Sequence, residues 1–313
     1  MSDSAIVPDP GTALPMSSTS RMSSTTHTLS PYVRLVRLDK PVGIWLLLWP
    51  TLWGLWVAAG GFPPWEVALV FVLGTVLMRS AGCAINDWAD RGFDGHVART
   101  RSRPLASGEL PPRAALWVAA TLSLSAFLLL LLLDPAVWPW SVPALLLAGT
   151  YPFTKRFLAI PQAYLGLAFG FGIPMAFVAI VGTVPPVAWL LLAANVAWTL
   201  AYDTEYAMVD RADDLKLGIR TSAITFGRCD VAVVALCYLS HLVLLVLVGG
   251  MLSRGWFWSL GLAVAGVIAV HHLRWIAGRD PAACFRAFRH NVWYGAAVSA
   301  GIALDYFLMP DPQ

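Results

Sequence analysis

Two groups of carboxylates stand at the ends of apolar stretches, and few residue types are more costly to keep there. The first group reads Asn86-Asp87-Trp88-Ala89-Asp90-Arg91-Gly92-Phe93-Asp94. The second, Asp210-Arg211-Ala212-Asp213-Asp214, follows Tyr202-Asp203-Thr204-Glu205. An ionised side chain beside hydrocarbon costs roughly 2.5–3.5 kcal/mol on insertion scales, so a group of them usually has a purpose. On an α-helix, residues four apart fall near one stripe. Asn86, Asp90 and Asp94 have that spacing, as do Asp210 and Asp214, with Asp203 seven residues earlier on the same face. Apposed carboxylates repel one another. Mg²⁺ carrying a diphosphate relieves that repulsion, because the ion takes one or two carboxylates and completes its octahedron with phosphate oxygens and water. Zn²⁺ is disfavoured, since neither group has His or Cys at suitable spacing. The implied chemistry is that of an intramembrane enzyme acting on a lipid diphosphate. The competing reading treats these acids as loop charges paired with Arg91, Arg99 or Arg211, and it suits one such group better than two.

Basic residues complete an anion site. Arg99, Arg101 and Arg103 follow the first acidic group, and Lys155 and Arg156 close another apolar stretch. Arginine grips phosphate oxygens in pairs, whereas lysine acts as a point charge. The same residues could also set topology or meet anionic headgroups. Arg79 differs, because it lies inside an apolar stretch and needs an anionic partner such as a carboxylate-bearing substrate.

The elements that must hold these side chains are transmembrane helices. The 313 residues are 58% hydrophobic and 12% charged, with a mean hydropathy of +0.67. Soluble domains carry about 25% charged residues, so the composition is that of a polytopic all-α membrane protein. At about 20 residues per crossing, nine spans are expected near 41–60, 65–86, 113–133, 138–154, 160–181, 185–203, 231–250, 256–273 and 290–309. The turns at 60–64, 134–139 and 182–186 contain no Lys or Arg, and the alternate connections carry nearly all of them, Arg254 excepted. The positive-inside rule then puts the N-terminus in the cytoplasm, the C-terminus outside, and both acidic groups on the cytoplasmic face. The long connections 87–112 and 204–230 are the expected catalytic loops. Pro50 should kink the first span. Gly166, Gly170 and Gly172 should permit close helix packing. Trp45, Trp49, Trp53, Trp65, Trp138, Trp140, Trp256 and Trp258 are expected to anchor span ends at the interface.

Residues 1–30, rich in Ser, Thr and Pro, read as a disordered tail, and 31–313 as one transmembrane domain. The tail lacks a signal-peptide core and makes a poor mitochondrial transit peptide, which favours a bacterial inner membrane over a mitochondrial one. Met16 and Met22 offer alternative starts. The four cysteines show no framework or metal spacing and are expected to be free thiols. No nucleic-acid partner is expected.

These stretches resemble the UbiA family of intramembrane prenyltransferases. The first acidic group fits the family's NDxxDxxxD pattern, and Asp210 with Asp214 fits its DxxxD pattern. The likeness extends through Leu38-Asp39-Lys40-Pro41-Val42-Gly43, Met78-Arg79-Ser80-Ala81-Gly82-Cys83, Arg99-Thr100-Arg101-Ser102-Arg103-Pro104-Leu105, Tyr151-Pro152 with Lys155-Arg156, and residues 202–210. The last of these is similar to the branch that prenylates 4-hydroxybenzoate. The resemblance implies nine helices around a central cavity open sideways to lipid. It implies that Asn86, Asp90, Asp94, Asp210 and Asp214 hold Mg²⁺ and the diphosphate, and that Arg99, Arg103 and Lys155, with Arg156 beside it, contact the diphosphate. Arg79 and Asp203 would orient the aromatic acceptor. The expected reaction moves a polyprenyl group from its diphosphate to the ring carbon ortho to the hydroxyl, in ubiquinone biosynthesis. Alternatives are another acceptor (haem, a naphthoate, homogentisate or a glycerol phosphate), an ion-coupled transporter, or a scaffold. Transporter sites usually lie at the bilayer midplane, whereas these acids gather at one face.

Overall fold

The computed structural model describes residues 30–97 and 99–309. The N-terminal tail lies outside them, as do Ala98 and residues 310–313. The described elements are helical throughout. A short α1 (Pro31–Leu35) leads into α2 (Val42–Ala59), α3 (Trp65–Asp90), α4 (Pro112–Leu130), α5 (Ser141–Thr154), α6 (Pro161–Gly170) and α7 (Gly172–Val181). Then follow α8 (Pro186–Leu217), the single turn α9 (Ser222–Phe226), α10 (Asp230–Met251), α11 (Trp256–Ile276) and α12 (Pro281–Leu308). Among the described residues six segments are long and apolar enough to cross a membrane: 42–59, 65–90, 112–130, 161–181, 222–251 and 256–276. The chain is therefore an all-α polytopic membrane protein.

Three expectations change for identifiable reasons. The span near 160–181 is broken between α6 and α7, because Pro174 has no N–H to offer the carbonyl of Gly170 four residues back. The span near 138–154 divides into a 3₁₀ stretch, Pro135–Trp140, and α5, whose 14 residues reach only about 21 Å. The span near 185–203 belongs to the 32-residue α8, about 48 Å long against a hydrocarbon core of about 30 Å. No helix-breaking residue interrupts it before Gly218, whose φ of 66° closes it. Residues 204–217 are thus the projecting end of a helix rather than a loop.

Small residues set the closest approaches. Gly261 of α11 and Gly301 of α12 lie backbone to backbone, so that a Cβ on Gly261 would stand 2.7 Å from the Gly301 Cα. A Cβ on Gly166 would meet the Val196 Cα at 2.8 Å, and the Asn195 amide donates to the Gly166 carbonyl at 2.9 Å, joining α6 to α8. Trp53 and Trp258 are not interfacial anchors. Both are buried, and their indole N–H groups donate to Ser299 Oγ (2.7 Å) and the Leu245 carbonyl (3.0 Å). Trp65 and Trp256 are exposed, as anchoring requires. All four cysteines are free thiols.

Candidate active site

A cavity of about 1230 Å³ lies between α2, α3, α4, α5, α6, α7, α8 and the start of α12. The deeper wall is apolar, with Leu46, Phe71, Phe127, Leu130, Phe169 and Met175. Leu124, Phe127 and Leu145 line it while also being exposed on the outer surface of the bundle, so the cavity opens sideways between α4 and α5. The opposite end is polar. Arg37, Lys40, Arg99 and Arg103 form that end, together with Asn86 on α3 and Asp203 on α8.

Behind this wall stand the acidic groups, and Asp87, Asp90, Asp94 and Asp210 each pair with a cation. Arg99 grips Asp210 through two nitrogens, with Nε 3.0 and 3.1 Å from its two oxygens. Arg103 Nη1 donates to both oxygens of Asp94 at 2.9 and 2.8 Å and lies 3.2 Å from Asp87. Lys155 pairs with Asp90. Three cations expected from sequence to contact diphosphate thus hold three of the five acids and amides expected to hold metal, Asp90, Asp94 and Asp210. No three His, Cys, Asp or Glu side chains among the described residues converge as an ion-ready cluster.

Local structure explains the positions. α3 ends at Asp90, and Asp94 begins a 3₁₀ turn, Asp94–His96, pinned by Thr100 Oγ1 donating to the Asp94 carbonyl at 2.8 Å. The stripe of Asn86, Asp90 and Asp94 is thus continued by a turn and not by the helix. Asp203, Asp210 and Asp214 do share one continuous helix, α8. Burial raises the pKa of Asp94, against the opposing pull of Arg103. Asp214, beyond the predicted span, is pushed up to about 7 by burial and by the neighbouring Asp210.

Arg79 faces the cavity from α3, packed against Gly43 and 5.6 Å from the Phe169 ring, and its Nε is buried with no hydrogen-bond partner. Asp203 faces the same space from α8, near Tyr151 and Tyr202. Arg156 does not reach the cavity. It is exposed, donates to the Ala89 carbonyl at 3.0 Å, and packs on Phe153 and Phe93.

Sequence reasoning passed over Arg37 and Asp87. Asp87 is completely buried, accepts from Arg37 Nη2 at 2.5 Å, and shares Arg103 with Asp94. The signal available was Asp87's own place in the NDxxDxxxD pattern, beside Asn86 and one residue off the stripe of Asn86 and Asp90.

The geometry has counterparts. The UbiA prenyltransferase family model matches residues 47–295. A 4-hydroxybenzoate octaprenyltransferase from Thiobacillus denitrificans is 63% identical over 284 residues, covering 90% of this chain and 97% of the relative. One of the same name from Azoarcus sp. is 64% identical over 277 residues, covering 88% and 96%. Among solved structures, the apo UbiA homolog from Aeropyrum pernix superposes with a TM-score of 0.74 at 24% identity, covering 84% of this chain and 97% of that one. The UbiA homolog from Archaeoglobus fulgidus bound to GPP and Mg²⁺ gives 0.62 at 17% identity, covering 86% and 100%. At those identities the likeness is one of fold.

Proposed function

This chain belongs to the UbiA prenyltransferase family, and from that premise we propose that it transfers a polyprenyl group from polyprenyl diphosphate to the ring carbon ortho to the hydroxyl of 4-hydroxybenzoate, in ubiquinone biosynthesis. Relatives 63% and 64% identical carry that activity in their names. The observation that carries the reading is one cavity with phosphate-gripping cations at its polar end and, among apolar residues, the half-buried Arg79, whose buried Nε has no hydrogen-bond partner.

Mg²⁺ suits the acids present. The donors are all oxygen, and Asp87 Oδ2 and Asp90 Oδ1 are buried without a hydrogen-bond partner. Asn86, Asp90, Asp94, Asp210 and Asp214 would hold the ion. When bound, it supplies positive charge against the departing diphosphate.

The chain's own residues do the rest. Arg99, Arg103 and Lys155 exchange their carboxylate partners for diphosphate oxygens and neutralise them as the allylic C–O bond breaks. Arg79 holds the acceptor's carboxylate, which turns the ring so that the carbon ortho to the hydroxyl meets the prenyl cation. The apolar wall, with Phe169 and Tyr206, keeps water away and offers ring faces to that cation. Asp203 takes up the proton lost when the ring regains aromaticity. The isoprenoid tail leaves through the side opening between α4 and α5, which requires a membrane-embedded enzyme.

We also place the chain in a bacterial inner membrane, N-terminus in the cytoplasm, as one domain from residue 31. Nine crossings result when α5, α8 and α12 are added to the six apolar segments. The experiment incubates the protein in nanodiscs with polyprenyl diphosphate, Mg²⁺ and radiolabelled 4-hydroxybenzoate. Label should enter an organic-extractable product and be stopped by EDTA. Product formed only from another aromatic or haem acceptor would overturn the acceptor assignment, and no transfer to any acceptor would overturn prenyl transfer.

A further inference from the structure

The first turns of α12 place Pro281, Ala282, Phe285, Phe288 and Arg289 on the cavity wall. Their spacing is that of one helical stripe, so this face is turned inward as a unit. Arg286, off the stripe, instead lies over Trp275, 4.8 Å from its ring. Across the corner stands Tyr206 of α8, its ring centroid 4.5 Å from that of Phe288 and 6.2 Å from that of Phe285. Phe285 and Phe288 stack at 24°. The opposite side of this corner is the diphosphate wall, because the Arg99 guanidinium lies over Tyr206 at 4.6 Å.

Arg289 differs from the other arginines at this end of the cavity. Arg37, Arg99 and Arg103 each bind a carboxylate. Arg289 has none among the described residues. Its guanidinium lies 6.0 Å from the Phe285 ring. It is exposed, on the face that the topology proposed above assigns to the cytoplasm, and lines the cavity at once. An uncommitted guanidinium beside stacked rings suits a small planar anion, with carboxylate on the charge and ring against ring.

Resting on the acceptor assignment above, we propose that Arg289, with Phe285, Phe288 and Tyr206, forms an entry subsite that captures the aromatic carboxylate acceptor from the cytoplasm before it descends to Arg79. The acceptor is a water-soluble anion that must enter an apolar cavity whose phosphate-gripping cations are taken up by acids or by the lipid diphosphate. A free cation at the rim draws it in and turns it ring-first along the aromatic wall. Two guanidiniums then serve one carboxylate in succession, Arg289 at the mouth and Arg79 within.

The test compares wild type, Arg289→Gln and Arg289→Lys as full chains in nanodiscs, with KM measured separately for 4-hydroxybenzoate and for polyprenyl diphosphate. Arg289→Gln should raise the acceptor KM roughly fivefold, the scale of an exposed charge pair, and leave the donor KM in place, with Arg289→Lys recovering most of the loss. Inhibition by benzoate should weaken in parallel in Arg289→Gln, while inhibition by the uncharged benzamide stays the same. An unchanged acceptor KM overturns the subsite, and a donor KM that rises with it would assign Arg289 to the diphosphate instead. Equal weakening of benzoate and benzamide would make the effect one of shape and overturn the charge argument. Absence of 4-hydroxybenzoate turnover in the wild type would instead refute the underlying acceptor assignment.

Discussion

Asp90 and Asp210 are each bound to a cation that the proposed reaction needs elsewhere, Lys155 and Arg99. Under the proposed mechanism, removing either acid removes a metal ligand and also releases a base from its resting place. Asp90→Ala and Asp210→Ala should each lower prenyl transfer at least about a hundredfold, the scale seen when a charge-stabilising group is lost from an active site. The check is initial rate at saturating Mg²⁺. Higher Mg²⁺ should not restore the rate. Arg79 makes a sharper case, because its Nε is buried and unpartnered without substrate. Arg79→Gln should raise the acceptor KM and lower kcat, since the carboxylate is held through the ring attack, while the donor KM stays near wild type. Steady-state kinetics with each substrate varied separately reads this directly. The acids were legible in sequence because carboxylates at the ends of apolar stretches are conspicuous. The ion pairs were not: Arg99 stands closer in sequence to Asp94, yet it binds Asp210, 111 positions away. Only the folding of the loop after α3 against α8 brings them together.

Helix packing carries the next level of the argument. α11 and α12 cross at Gly261 and Gly301 with no side chain between their backbones, and α12 in turn presents its first turns to the cavity. Gly261→Val would force two rigid backbones apart, since no flexible side chain is there to yield. Overpacking of this kind costs about 1–3 kcal/mol, and it should appear as a lower melting temperature in detergent. Gly149→Ala, where an added Cβ meets nothing within 4 Å and the helix gains a better former, should not lower the melting temperature and serves as the control. The close-packing role of Gly166 and Gly170 was readable from their spacing, but that of Gly261 with Gly301 was not, because they stand 40 positions apart on two helices. Hydropathy likewise located the apolar part of α8 and stopped at the first acids, although nothing in residues 204–217 breaks a helix. The break at Pro174 illustrates the converse, a local signal hidden inside a continuous apolar run.

Across the whole molecule, the two acidic motifs belong to different packing units. The first sits at the end of α3, whose Ala81 and Ala84 pack with Leu35, Leu110, Ala115 and Ala119. The second extends from α8, whose Trp198, Ala201, Tyr202 and Met208 belong to the large cluster shared with α10, α11 and α12. α3 and α8 face each other across the cavity, and Arg99 with Asp210 ties the loop after α3 to α8 on the cytoplasmic side. Lys155, paired with Asp90, adds α5 to the connection, and its own carbonyl accepts from the Arg220 N–H beyond the end of α8 at 3.2 Å. A diphosphate that takes over Arg99, Arg103 and Lys155 would leave Asp210, Asp94 and Asp90 as bare neighbouring anions unless Mg²⁺ accompanied it. Mg²⁺ alone faces the complementary obstacle, for it must compete with the bases already bound to those acids. Neither ligand can complete the exchange alone, so their binding should be strongly cooperative. Inorganic diphosphate with Mg²⁺ should therefore raise the melting temperature by more than the sum of the shifts from each separately. At a ligand concentration about a hundred times Kd, binding adds about 2.7 kcal/mol of stability. EDTA should reverse the joint shift, and Arg99→Gln should leave only the additive part, because the bridge between the two packing units would no longer have a cation to hand over. Simple additivity in the wild type would mean that the acids and bases separate without exchange, and the partner-swapping account of diphosphate release would fall with it.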